Sequence, residues 1–333
     1  MKCGICDATV GTLHQVRENM FGFNDVFNYF ECKGCGALQL SDPPEDMSRY
    51  YPRDKYYSLQ SVHTSPATNG KPDITSWLSS KRNEAQLFDK SGLGSVLARL
   101  RPWPLLNELR SLVSDIPAGS LSSSILDVGC GRGYLLDQLA TAGLTRLTGV
   151  DPYLQEDEIK VNGVRLRKCT LSDISGETYD FIMFNHSLEH MEGQITTLLA
   201  ARDVLAADGI CRVEVPISGC AAWHEYGTDW VEIDAPRHFC LHTVKSMKLA
   251  AERAGLEMYK TQYVGTLLQF WGSELYRAGM SLHDTSTNKI REPSTVFSPD
   301  QMASFGQRTA STNATGTAGR AVFYLRHETQ QRH

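Results

Sequence analysis

Three groups of residues in this 333-residue chain have the types and spacing that chemistry requires. The first is Asp127-Val128-Gly129-Cys130-Gly131-Arg132-Gly133, entered through Ser124-Ile125-Leu126 and followed further on by Leu147-Thr148-Gly149-Val150-Asp151-Pro152. Glycines let a backbone turn tightly and approach a ligand, and a helix opening after such a turn aims its free N–H groups at that ligand. A carboxylate ending the next strand suits a ribose diol. The pattern therefore reads as a nucleoside-type cofactor site at the carboxyl ends of parallel strands. The second group is Cys3-Gly4-Ile5-Cys6 with Cys32-Lys33-Gly34-Cys35. Each C-x-x-C bends two thiolates onto one cation, and two such knuckles complete a closed four-thiolate shell of the structural kind, which points to Zn(2+). The third lies at 223–243, where Trp223, His224, Trp230, Asp234, Arg237, His238 and His242 gather after a strand end, the place where ligands meet open α/β sheets.

The glycine spacing discriminates between cofactors. A dinucleotide turn wants G-x-G-x-x-G, and Tyr134 stands where its third glycine belongs. With glycines at 129, 131 and 133, the segment resembles motif I of the class I S-adenosylmethionine-dependent methyltransferases. That resemblance implies that Asp127, Gly129, Cys130, Gly131 and Gly133 line the cofactor, and that Asp151, with Pro152 beside it, holds the ribose hydroxyls. It continues through 178–190, similar to the family's fourth strand, with Asn185 and His186 at the cofactor pocket. It also takes in 209–216, similar to the fifth strand, and 171–174, where Ser172 and Asp173 fall at the adenine position. In all it spans about 124–256.

Asp234-Ala235-Pro236-Arg237-His238 resembles a segment of bacterial methyltransferases that carry an N-terminal cysteine ribbon, sugar-modifying enzymes among them. In related deoxysugar C-methyltransferases a histidine near this point serves as base, which makes His238 the candidate base here, with Trp223, Trp230 and Arg237 in the acceptor loop. An internal role, with His238 and Arg237 bonding loop carbonyls, stays open beside it. An E-x-x-E-H arrangement binds a divalent cation in some quinone O-methyltransferases. In this chain His186 stands where the first acid would be, so Glu189 and His190 read as capping or pocket residues. Cys130 and Cys169 read as small buried apolar residues.

Composition sets the frame for these groups. Hydrophobic residues make up 41% of the chain, enough for a substantial core, and no run reaches the roughly twenty apolar residues that cross a bilayer. The first residues lack the apolar stretch of a signal peptide, so a cytoplasmic location is expected and the Asn313-Ala314-Thr315 sequon is read as chance. In such a setting nine cysteines point to metal or burial rather than disulfides. A net charge of −5 argues against a nucleic-acid surface. No membrane partner is expected, and oligomeric state is open.

The elements expected around these groups form an α/β fold. It is a Rossmann-like, seven-stranded methyltransferase sheet with helices on both faces, plus a small four-cysteine zinc ribbon with two or three strands between residues 10 and 39. The expected domains are a ribbon at 1–42, a connector and N-terminal helices at 43–115, with helices at 74–90 and 93–113, and a methyltransferase domain at 116–333 with an insertion at about 265–319. A helix at 243–255, a strand at 256–264, a helix from 265 to about 280, a polar excursion at 281–319 and a returning strand at 320–326 complete it. Residues 61–72 read as a loop, and the tyrosines of 49–57 as an aromatic connector or part of a lid. The resemblance implies methyl transfer to a small-molecule or glycan acceptor, first the oxygen of a sugar, nucleotide-sugar or polysaccharide. C-methylation of a keto-deoxysugar and a ribbon-bearing rRNA base methyltransferase are the alternatives. The latter is disfavoured because Asn185-His186-Ser187-Leu188 lacks the N/D-P-P-Y/F signature.

Overall fold

The computed structural model describes residues 2–52, 74–116, 119–284, 286–287 and 289–328. The expectations for 53–73, the loop and much of the tyrosine connector, fall outside them. In chain order the elements begin with β1 (Val10–Arg17), β2 (Val26–Cys32), β3 (Leu38–Leu40), α1 (Ile74–Phe88), α2 (Leu93–Leu100) and α3 (Pro104–Val113). Next come β4 (Ser124–Val128), α4 (Tyr134–Ala142), β5 (Arg146–Val150), β6 (Glu158–Ile159), β7 (Arg165–Arg167), β8 (Tyr179–Asn185), α5 (Gln194–Val204) and β9 (Leu205–Pro216). The last are α6 (Ala221–Tyr226), β10 (Cys240–Leu241), α7 (Val244–Arg253), β11 (Leu256–Tyr263), α8 (Leu268–Arg277), β12 (His283–Asp284), β13 (Lys289–Ile290), α9 (Pro299–Thr315) and β14 (Arg320–His327).

The chain divides into two compact units, one of residues 58–185 and 200–212, the other of 1–57, 186–199 and 213–333. In the first, β4 pairs in parallel with β5 and with β8, and β5 in parallel with β7. β4 is buried along its whole length and β8 from Phe181 to Phe184, the continuous apolar run expected of parallel strands covered on both faces. Ser124 at the start of β4 donates its amide and hydroxyl to Asp180 Oδ2, at 2.7 and 2.9 Å, which fixes the register with β8. α4 buries Leu136 and Leu139 and stops at Gly143 in left-handed conformation. Asn83 of α1 donates to the α4 carbonyl of Ala142 at 2.9 Å.

In the second unit β1, β2, β3 and β10 form a four-stranded sheet, and β11 and β14 pair antiparallel beside the end of β9. The strand order of the main sheet is β11-β14-β9-β8-β4-β5-β7-β6. That is the expected seven-stranded α/β sheet with an added two-residue strand, β6, which turns back on β7 as an antiparallel edge.

Three elements differ from the sequence expectation. The helix expected over 93–113 is two, because Pro102 lacks a donor and disfavours helix at Arg101 before it. β9 starts at Leu205, inside the expected turn. The polar excursion contains α9, whose Ser298 accepts from the Gln301 amide at 3.3 Å while the Gln301 side chain accepts from the Ser298 amide at 2.9 Å. Only Phe305 and Thr309 of α9 are buried, one helical turn apart, too thin a stripe to register as amphipathic.

Candidate active site

The glycine turn joins β4 to α4. Gly131 and Gly133 have φ of +52° and +74°, values that a residue with a Cβ adopts only at a cost. A Cβ on Gly133 would also stand 2.8 Å from Leu166 Cδ2. The Gly129 and Cys130 amides close onto the Val150 carbonyl at 2.8 and 3.2 Å, binding the turn to the end of β5. There Asp151 Oδ2 accepts from the Gly131 amide at 2.9 Å and Oδ1 from the Tyr153 amide at 2.8 Å. Each carboxylate oxygen has a second lone pair, so Asp151 is aimed by backbone while keeping capacity for two hydroxyls. Asp127 is buried; burial and the Asp151 charge push its carboxyl up to about 7. Burial pushes the Cys130 thiol well above its ordinary range, so it is no nucleophile.

The other cofactor-side residues separate by exposure. Pro152, Ser172 and Asp173 are exposed, and Asn185 at the end of β8 is half-buried. Asp173, expected to face adenine, accepts through Oδ2 from the amide and hydroxyl of Thr170, at 2.8 and 2.7 Å, in a capping box that lowers its pKa.

The second unit holds the histidines. His186 adopts φ of 54° and its amide donates to the Glu214 carbonyl at 2.9 Å. Its ring lies between carboxylates, Nδ1 at 3.6 Å from Glu189 Oε1 and Nε2 at 3.4 Å from Glu214 Oε1. Burial alone would push this imidazole down, but the two carboxylates outweigh it and raise it to about 9, so His186 is a fixed cation at neutral pH.

His238 and His190 are held differently. His238 Nδ1 donates to the Glu232 carbonyl at 2.9 Å, and His190 Nδ1 donates to the Arg237 carbonyl at 2.9 Å. A carbonyl accepts only, so each ring carries a proton on Nδ1, and a neutral ring held this way keeps its lone pair on Nε2. Burial lowers His238 to about 4, leaving it neutral. The two rings meet edge to face at 4.6 Å. Buried Glu189 joins them; burial opposes its charge, but the hydrogen bond from the charged His186 ring holds its carboxyl below the usual range. Its Oε2 has no hydrogen-bond partner among the described residues, and one donor atom each from Glu189, His190 and His238 lie within 4.8 Å of one another.

Three residues expected at an acceptor loop are interior instead. Arg237 is fully buried: Nε and Nη2 bond Asp234, Nη1 the Tyr50 carbonyl at 3.2 Å, and Nη2 also Glu18 Oε1 at 2.8 Å. Its planar fork is spent on two carboxylates, so it is a structural cation rather than an acceptor contact. Trp223 and Trp230 are 6% and 1% exposed, packing against each other and, for Trp223, edge-on to His14 at 5.1 Å. Glu18 and Glu214 were not picked out in the sequence; Asp234, three residues before Arg237, was read there only as part of the loop.

Cys3, Cys6, Cys32 and Cys35 come together in this unit, with Sγ separations of 3.6 Å for Cys3 and Cys35 and 3.5 Å for Cys6 and Cys32. A zinc ion with bonds of about 2.3 Å sets tetrahedral sulfurs about 3.8 Å apart, so the cluster has the size of a four-thiolate shell. The Gly34 amide donates to Cys32 Sγ at 3.3 Å, the Ile5 amide to Cys3 Sγ at 3.4 Å and Gln39 Nε2 to Cys3 Sγ at 3.1 Å, as sulfurs carrying negative charge require.

Residues 97–261 match the family model described as a methyltransferase domain. The ubiquinone biosynthesis O-methyltransferase of Actinobacillus pleuropneumoniae is 30% identical over 125 residues, 33% of this chain and 53% of that protein. The mitochondrial enzyme of the same name from Bos taurus is 27% identical over 165 residues, 42% of this chain and 44% of that one. The chain thus spans about half the length of these curated relatives. A solved S-adenosylmethionine-dependent methyltransferase from Archaeoglobus fulgidus aligns at 15% identity and a TM-score of 0.39, over 66% of this chain and 91% of that one. Among the described residues no helix is long and apolar enough to cross a membrane.

Proposed function

We propose that this chain transfers the methyl group of S-adenosylmethionine to an oxygen of a small-molecule or glycan acceptor, first a sugar, nucleotide-sugar or polysaccharide hydroxyl. The observation that carries this reading is the left-handed glycine turn with Asp151 pinned to its Gly131 amide, inside the matched methyltransferase domain. The curated relatives named as O-methyltransferases favour oxygen over carbon. When bound, S-adenosylmethionine supplies an electrophilic methyl group on a sulfonium. Gly129, Gly131 and Gly133 would give the backbone close approach to it, and Asp151 would hold its ribose diol. Attack is in line, so positioning supplies much of the rate. The His238 Nε2 lone pair is the proposed acceptor of the hydroxyl proton, since the Glu232 carbonyl fixes the tautomer that exposes it. Four thiolates at Cys3, Cys6, Cys32 and Cys35 would hold a structural Zn(2+). Labelled donor incubated with fractionated sugar nucleotides and glycans tests the reading. A labelled sugar product supports it, and label confined to carbon or to RNA redirects it to the alternatives.

A second reading of the histidines has its own observation. Buried Glu189, whose Oε2 has no hydrogen-bond partner among the described residues, offers one ligand atom within 4.8 Å of one each from His190 and His238, a donor set suited to a divalent cation. Its position differs from the E-x-x-E-H arrangement because His238, from another loop, replaces the missing acid.

A further inference from the structure

The stretch that carries His238 is held by the cysteine ribbon at both of its ends. β10, two residues beyond His238, pairs antiparallel with β3, Cys240 opposite Gln39 and Leu241 opposite Leu38. The Leu40 amide donates to the Phe239 carbonyl at 2.9 Å. The hydroxyl of Tyr29, fully buried on β2, donates to the His238 carbonyl at 2.8 Å. Just before it, Arg237 meets Glu18 at 2.8 Å with neither side chain exposed, and Glu18 is itself fixed by the amides of Phe21 and Phe23 at 3.0 and 2.9 Å. Just after it, the Thr243 hydroxyl donates to the Cys35 carbonyl and Lys245 Nζ to the Gly34 carbonyl, each at 2.7 Å. Those two carbonyls belong to the second cysteine knuckle.

A two-residue strand has no independent stability, so β10 depends on β3 for its place. A ribbon of three short strands in turn depends on its metal. We propose that the four-cysteine ribbon is the positioning element of the His238 stretch, with Glu18 and Arg237 as positioning residues. Occupancy of the cysteine site fixes the knuckle at Cys32 to Cys35. The knuckle fixes β3 and Thr243, and these fix residues 237–241 together with the ring tautomers of His190 and His238. The functional weight of this coupling rests on the proposed role of His238, whereas the coupling itself is a property of the fold.

The test is hydrogen exchange on the full chain, zinc-loaded and after chelation, and on Glu18→Gln, which leaves every cysteine in place. Chelation is expected to speed amide exchange at 28–40 and at 237–241 together by about tenfold or more, and Glu18→Gln to speed 237–241 with zinc still bound. β4 (Ser124–Val128) serves as the control and stays protected. In nitrogen-labelled histidine spectra, His190 and His238 hold the Nδ1–H tautomer in the loaded chain and average between tautomers in Glu18→Gln, a change that general loosening of the ribbon does not specify. Tyr29→Phe, lacking only the hydroxyl that holds the His238 carbonyl, replaces Glu18→Gln if that variant does not fold. Protection of 237–241 that survives chelation while 28–40 opens overturns the proposal. So do unchanged tautomers in the variants, or a chain that holds no zinc. Binding of S-adenosylhomocysteine to the same samples reports separately on the methyltransferase reading.

Discussion

At the residue scale the most heavily constrained side chains are charged ones taken out of water. Arg237 is satisfied by Asp234 and Glu18 together, and removing one member of a buried pair leaves the other uncompensated. Arg237→Met should therefore cost about 3–5 kcal/mol in urea unfolding, and a loss below 1 kcal/mol would refute a buried structural role. His186 carries a pH signature. Its folded pKa of about 9 lies above the ordinary 6.5, so its contribution is fully present below about pH 6.5 and lost as pH rises through 9. That contribution is on the order of 3 kcal/mol. Unfolding free energies at pH 6.5 and 9.5 should show the loss in the native chain and not in His186→Asn. Asp127 shifts the same way with the opposite lesson. Burial and Asp151 raise it to about 7, so ionising it above that pH is unfavourable. Asp127→Asn should hold or raise the melting temperature at pH 8, and a clear drop would show that the carboxylate is needed charged.

At the scale of elements, the sequence was most readable where backbone chemistry forces residue choice. Left-handed turn positions demanded Gly129, Gly131 and Gly133, the two cysteine pairs announced a compact knuckle, and β4 and β8 appeared as apolar runs because parallel strands are buried on both faces. Elements held by few anchors were hidden. α9 buries only Phe305 and Thr309 along a Ser- and Thr-rich helix, though its Ser298 and Gln301 capping box was there to be read. β10 has two residues and exists because β3 offers an edge, something no local pattern encodes. The loop that ends in β10 was expected to face an acceptor with Trp223, Trp230 and Arg237, yet packing claimed all three. Long-range partners such as Glu18, far away in sequence, decide that outcome. At the ribbon, the purified chain should hold one equivalent of zinc, and Cys32→Ser should lower it below about half an equivalent and loosen β1 to β3. Retention of full zinc in that variant would contradict the four-thiolate site.

At the scale of the whole molecule, residues 97–261 match the methyltransferase family model, and the proposed chemistry starts from the glycine turn inside that match. Its central claim is that the β4 to α4 turn binds S-adenosylmethionine, and acceptor identity is a separate question. Calorimetric titration of S-adenosylmethionine into the native chain, Gly131→Val and Asp151→Asn tests that claim most directly. Valine at a φ of +52° costs about 1–2 kcal/mol of backbone energy and places a side chain in the proposed cradle, while asparagine removes the charge proposed to accept the ribose diol. Saturable one-to-one binding by the native chain, lost in Gly131→Val and weakened about tenfold or more in Asp151→Asn, is the predicted result. No binding by the native chain, or equal binding by all three proteins, would contradict it.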